Sequence, residues 1–330
     1  MIRRRHFTGL LAGGLAALAA PAIVRAAGRE TVTLRLDWVP GADHGALFLA
    51  KQRGYFDAAG LNVTILDGKG SVAALQSITA GNDTIGIANL STMAMAVGAG
   101  APLTAIGCIL QRAPDGLIAM AGSGILKPKD IEGKRWGFVA TDAGERMFPA
   151  FAQATGIDAS SIKRIQLNHS AAYTSLMVGN VDFISGWSIA DALKIGQVKP
   201  VAPPIIYADY GVNTLGNGFF VNHTLLAKRG DMLKAFMAAT VRGANEAAHD
   251  PEAAVDALML ARPANNRIVA TQEASMLHTY LHTPASAGHG FGWMAESDWT
   301  KTLVLLRGCC GVPANIDMAT LYTNALLPAA

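Results

Sequence analysis

The sequence predicts an α/β protein of two lobes, each a mostly parallel sheet with helices on both faces, and a ligand cleft between the lobes. Three observations carry this. The 330 residues are 51% apolar and only 15% Asp, Glu, Lys or Arg, which is ample for a large core and gives enough chain for about two domains. Short apolar stretches of period two alternate with stretches of helical period along most of the chain, and repeated βα units imply parallel sheets with helical covers. Glycine-rich punctuation falls at Gly122-Ser123-Gly124 and again within 211–218. Two crossings there define a discontinuous first lobe, 27–122 plus 214–330, and an inserted second lobe, 123–213.

Residues 1–26 read as an export signal, with the basic head Arg3-Arg4-Arg5-His6-Phe7, an apolar run from Gly9 to Ala22 and small residues around Val24-Arg25-Ala26. The run is shorter than the ~20 residues of a membrane-spanning helix. Arg4-Arg5-His6-Phe7 fits the Arg-Arg-x-Phe core of twin-arginine signals, an ordinary secretory leader being the alternative. Cleavage there, with no cysteine before Cys108 to carry a lipid, predicts a protein free in the periplasm. The signal holds four arginines and no acid. Without it the chain has 23 basic and 24 acidic residues, so the net basic face that a nucleic-acid binder needs is missing.

Residues 31–37 alternate as a strand, and 46–55 read as a helix stopped by Gly54 and Gly60. A strand at 61–66 and a helix at 72–79, ended by Gly81, follow. Residues 84–111 carry no charge, but Asn89, Ser91, Thr92, Gly98, Gly100 and Pro102 interrupt them. This predicts a strand 84–88, a helix 92–97 and a buried strand 103–110 rather than a membrane span, because buried parallel strands also read as continuous apolar runs. Further strands are expected at 117–121, 135–140, 162–167 and 181–185, with helices at 145–155, 171–178 and 189–194 between them. After a strand at 219–222 the pattern changes to helices alone, at 228–249, 251–260, 267–282 and 299–307.

Ligands of open α/β sheets bind outside the carboxyl ends of the strands, so the loops there are the candidates. Trp38, in Trp38-Val39-Pro40-Gly41-Ala42-Asp43-His44, offers a flat face for stacking and His44 a directional hydrogen bond, or the pair is a core cap and a surface histidine. Asp67-Gly68-Lys69-Gly70-Ser71 has glycines that can turn backbone N–H groups inward and a hydroxyl at Ser71, although a turn with a serine cap explains it equally. It is not a Walker loop, since Val63 stands at the first glycine and no Ser or Thr follows Lys69 directly. Asn89 and Ser91 put small polar groups at another strand end. Asp142 and Glu145 have capping-box spacing at a helix start, where their carboxylates would repel an anion and favour a ligand with N–H donors.

LDWVPGADHGALFLAKQRGYFDAAGLNV, then GIANLSTM, LKPKDIEGKRWGFV, MVGNVDFISGW and LYTNALL resemble the periplasmic substrate-binding proteins related to fungal thiamine-pyrimidine synthases. The likeness covers nearly the whole mature chain. It implies a two-lobed type II binding fold that feeds the permease and ATPase of an ABC importer. The leading ligand is then a neutral aminopyrimidine precursor of thiamine, followed by a riboflavin-like heterocycle and, third, a sulfonate or nitrate. By the same likeness Trp38, His44, Asn89, Asp115 and Trp187 line the cleft; Gly70, Ser71, Ser91, Asp142 and Phe219 complete the candidate set. A monomer without cofactor or metal is expected.

An enzyme is the reading of another class, because the fungal relatives are synthases that consume their own side chains. The resemblance puts their lysine and histidine where this chain has Ala88 and Thr92, and a Cys-rich run where it has Gly216-Asn217-Gly218-Phe219-Phe220, which speaks against synthase chemistry. No G-x-S-x-G, H-E-x-x-H or C-x-x-C occurs. His278 and His282 lie four apart on an expected helix, with His289 beyond, but no carboxylate or cysteine stands at ligand spacing beside them. Cys309-Cys310 is poorly placed to bond to itself; either could pair with Cys108, or all three could be thiols.

Overall fold

The structure, a computed structural model, describes residues 28–140 and 142–329; the expected export signal lies outside the described residues. Among the described residues, ten strands form two five-stranded sheets. They are β1 (Glu30–Arg35), β2 (Leu61–Leu66), β3 (Ile85–Asn89), β4 (Leu103–Cys108), β5 (Asp115–Ala119), β6 (Arg135–Phe138), β7 (Lys163–Gln166), β8 (Phe183–Trp187), β9 (Ile205–Ile206) and β10 (Asn217–Asn222). The first sheet runs β2-β1-β3-β10-β4 and the second β7-β6-β8-β5-β9. Thirteen helices flank them: α1 (Gly45–Gln52), α2 (Tyr55–Ala58), α3 (Ser71–Thr79), α4 (Leu90–Gly98), α5 (Ala143–Thr155), α6 (His169–Met177), α7 (Ser188–Gly196), α8 (His223–Lys228), α9 (Gly230–His249), α10 (Pro251–Ala261), α11 (Arg267–Leu277), α12 (Glu296–Cys310) and α13 (Met318–Leu321).

Local chemistry explains most of these elements. β2 alternates buried and exposed residues, whereas β3 and β4 are buried throughout, as their uncharged run requires. Gly54, in the left-handed region, ends the first helical run and separates α1 from α2. Asn89, Asp142, Asn168, Asn222, Asp250 and Asn266 cap α4, α5, α6, α8, α10 and α11 with their side-chain oxygens. The expected helix 267–282 stops at Leu277, and His278 begins a separate 3-10 turn. His278 and His282 therefore do not share a helix face.

Both sheets are mixed. β1, β2 and β3 run parallel, as do β6, β7 and β8, but β10 is antiparallel to β3 and β4, and β5 to β8 and β9. β5 and β10 are the strands that begin just after the chain passes from one sheet to the other. Each leaves the cleft while its neighbours arrive at it, so their first residues, Asp115 and Asn217, stand where the parallel strands place their last. β5 belongs to the second sheet through its ladder with β8. This corrects the first boundary expected at 122: the passage falls between Cys108 and Asp115, and Gly122-Ser123-Gly124 is a turn inside the second lobe. α12 packs against α4 of one lobe and α5 of the other.

Candidate functional site

The loops after β1, β2, β6 and β8 converge with the starts of β5 and β10 on one cavity between the two sheets, about 60 Å³ in volume. The Trp38 ring lies 4.5 Å from that of His169 at the start of α6, and His169 meets Tyr173 at the same distance.

Of the ten candidate residues, Trp38, His44, Gly70, Ser71, Asp115, Asp142 and Trp187 line this cavity. Asn89 does not reach it. Its Oδ1 accepts from the Ser91 and Thr92 amides and the Ser91 hydroxyl, while Nδ2 donates to Asp115 Oδ2 at 3.1 Å. It therefore orients Asp115, and Ser91 is spent on holding it. Phe219 is core: fully buried two residues into β10, it stands edge-on to Phe236 at 5.9 Å. The sequence reasoning missed Asp37, Asp43, His169, Asp191, Lys194, Asn217 and Glu273, all of which line the cavity. Asp37 and Asp43 were legible as neighbours of Trp38 and His44; Glu273 comes from α11, with no local signal.

The glycine loop behaves differently from its sequence expectation. The Gly68 and Gly70 amides donate to the carbonyls of Trp38 and Asp37 at 2.9 and 2.7 Å, so they bind the loop to the end of β1 and are not free for an anion. A Cβ on Gly68 would fall 2.1 Å from the Leu36 carbonyl oxygen, and Gly70 sits at φ +108°; no other residue fits either place. Ser71 Oγ accepts the Asn89 amide at 3.0 Å.

His44 is likewise already engaged. Its Nε2 faces Asp37 Oδ1 and its Nδ1 faces Asp43 Oδ1, both at 2.9 Å, and Asp37 Oδ2 accepts from Asn217 Nδ2. Burial alone would lower the imidazole pKa, but Asp43 and Asp37 outweigh it and hold the ring protonated well above its ordinary value. The Gly41 amide also lies 3.2 Å from Nδ1, yet a protonated Nδ1 donates, and the carboxylate is its partner. Asp37, Asp43 and His44 are also the one group of three among the described residues close enough to hold a metal ion, their ligand atoms lying within 4.8 Å of one another.

Across the cavity, Asp191 Oδ2 accepts the Trp187 amide at 3.0 Å and Oδ1 accepts the Tyr173 hydroxyl, with Lys194 Nζ at 4.0 Å. Asp142 caps α5 through Gly144, while Glu145 turns away to Arg164 rather than closing a capping box. Burial, then Asp191, pushes the Asp142 carboxyl up to about 7. Burial, then Asp43, takes Glu273 to about 7; burial, then Asp142, raises Asp115 well above the carboxylate range. The three cysteines are free thiols, Cys108 buried and the adjacent pair half-buried.

These shifts set the pH dependence of the empty protein. Between pH ~4, where free carboxyls titrate, and about 7, the folded chain holds protons at Asp142 and Glu273 that the unfolded chain has lost. Stability therefore falls as pH rises through this window. Acting the other way, Asp83 and Asp182, held low by Arg35 and Arg135 against burial, count only below about pH 4, and His169, its pKa lowered by burial, below about pH 6.5; above that, His44, raised well above its ordinary value, adds to the fall. The melting temperature is expected to be higher at pH 5 than at pH 8 in thermal unfolding followed by circular dichroism; a flat or rising profile would refute the assignment of these protons.

The chain is similar to proteins of several names. A 4-amino-5-hydroxymethyl-2-methylpyrimidine phosphate synthase of Legionella pneumophila is 24% identical over 91% of this chain and 93% of its own length. A formylaminopyrimidine-binding protein of Halalkalibacterium halodurans is 22% identical over 83% and 84%, and a riboflavin-binding protein of Chloroflexus aurantiacus 23% over 91% and 86%. Among solved structures, the ligand-binding component of an ABC-type import system from Staphylococcus aureus superposes with a TM-score of 0.71 at 10% identity, over 90% and 97% of the two chains. An alkanesulfonate-binding protein of Xanthomonas axonopodis pv. citri gives 0.69 at 16%, over 89% and 99%. The two-lobed fold of periplasmic binding proteins is thus shared. The pattern of the NMT1/THI5-like family matches residues 41–254, well over half of the sequence, and the chain belongs to that family.

Proposed function

We propose that this chain is the solute-binding component of an ABC importer, exported to the periplasm, and that it takes up a small aromatic heterocycle bearing N–H donors, a pyrimidine precursor of thiamine first among them. The observation that carries the reading is the make-up of the cavity wall. Trp38 and Trp187 offer flat faces from opposite lobes, while Asp115, Asp142 and Glu273 offer acceptor oxygens. A sulfonate or nitrate would face a wall of six acidic side chains on which His44 and Lys194 already stand by Asp37, Asp43 and Asp191. The pyrimidine-binding relative and the likeness to binding components of import systems support solute capture. No helix among the described residues is long and apolar enough to cross a membrane. The riboflavin-binding relative supports a flavin as the second ligand.

Synthase activity finds no support in the side chains. Ala88 and Thr92 stand where the resemblance puts the synthases' lysine and histidine, and both are buried outside the cavity wall. Calorimetry should detect binding of 4-amino-5-hydroxymethyl-2-methylpyrimidine without turnover. Trp38→Ala or Trp187→Ala should weaken it by about 1–3 kcal/mol, through lost stacking and apolar burial. Because both rings are only partly buried at the cavity, the melting temperature of the empty protein should fall much less than truncation of a core tryptophan would make it. Tight nitrate or taurine binding with no response to pyrimidines or flavins would overturn the reading.

A further inference from the structure

We propose that the solute is bound as an organic cation, an amidinium or protonated aminoheterocycle, with charged N–H groups on Asp115 and Glu273. The inference deepens the reading above and rests on it. The cavity wall carries Asp37, Asp43, Asp115, Asp142, Asp191 and Glu273 against His44 and Lys194. His44 is committed to Asp37 and Asp43, and Lys194 stands by Asp191. Asp115, Asp142 and Glu273 have no salt-bridge partner among the described residues. Two buried oxygens are left over: Asp115 Oδ1 and Glu273 Oε1 have no hydrogen-bond partner among the described residues, although each residue is only 2% exposed. Their sister oxygens are fixed, Asp115 Oδ2 by Asn89 and Glu273 Oε2 by the Ala42 amide at 3.1 Å, so the free oxygens are held in place.

Leaving a buried acceptor unmatched is costly, and a charged donor is its strongest partner. In the empty protein a proton serves instead. Glu273 faces Asp43, His44 and Lys194; Asp115 faces Asp37, Asp142 and Tyr207; Asp142 faces Asp37 and Asp191. The acidic neighbours in these sets favour the protonated carboxyls. An arriving cation replaces that proton, which leaves to solvent, and the charge of the site is conserved. An anion or a neutral ring cannot make this exchange.

The test uses an isosteric series, benzamidine, benzamide and benzoate, beside 4-amino-5-hydroxymethyl-2-methylpyrimidine. Each is titrated calorimetrically into the full mature protein at pH 6 in two buffers of different ionisation enthalpy. Benzamidine is expected to bind at least tenfold more tightly than benzamide, benzoate not at all, and cation binding should release protons. Glu273→Gln and Asp115→Asn should each weaken the cation about tenfold, and benzamide by much less. Their melting temperatures at pH 8 should be no lower than the parent's, which separates lost binding from lost folding. Equal affinity for benzamide and benzamidine, or no proton release, overturns the proposal. Pyrimidine affinity that ignores ring protonation sinks the cation and leaves the pyrimidine reading standing; benzamidine binding with no pyrimidine or flavin response does the reverse.

Discussion

Replacing His44 by Leu is expected to destabilise the protein by about 3–5 kcal/mol, the usual consequence of removing one partner from a buried ion pair. The ring is 2% exposed and stands between Asp37 and Asp43. Without it two carboxylates at the edge of the first-lobe core lose their counter-charge, and only the Asn217 amide remains on Asp37. The deficit should shrink towards pH 4–5, because protonating the stranded carboxyls relieves it. Urea unfolding of parent and variant at pH 5 and pH 7 measures both effects. A variant within 1 kcal/mol of the parent at pH 7 would mean that His44 is neutral and merely fills space.

Trp136→Ala should cost a similar ~3–5 kcal/mol for a different reason, the cavity left by a large core aromatic. Trp136 is fully buried on β6, with Phe148 at 4.2 Å and Phe183 stacked at 6.2 Å, and its Nε1–H donates to Ser185 Oγ at 3.1 Å. Truncation empties the space between β6 and α5 and strands that hydroxyl. Affinity of the fraction that folds should be unchanged, since Trp136 does not line the cleft. Chemical denaturation together with calorimetry distinguishes it from Trp38 and Trp187, for which the expected pattern is opposite. A Trp136→Ala protein as stable as the parent would mean that the second-lobe core collapses around the gap.

How much was legible follows the range of the forces involved. Alternation of period two and capping residues are local, so β2, α3 and α5 fall within a few residues of their expected bounds, and Asp142 was found as a cap at a strand end. Trp38, His44, Gly70 and Ser71 were legible as wall residues of the cavity because a strand's carboxyl end marks it; Trp187, named through the resemblance, sits at such an end too. Asp115 came through the resemblance, since a strand that starts at the cleft breaks that rule; Asn217 escaped for the same reason. Phe219 misled, because a residue near a strand start alternates between cleft and core.

The sequence by itself determined the composition of the elements, the two-lobed α/β class, and the family. Its local periods and turn residues act over a few positions and need no partner. Tertiary structure alone decided that β5 and β10 run against their sheets, because pairing direction depends on where the chain re-enters a lobe. It alone brought Glu273 of α11 to Ala42, 231 residues away, and turned His44 from an available hydrogen-bonding group into a buried imidazolium. Charge and burial at one point are set by every element packed around it, and no segment carries that sum alone.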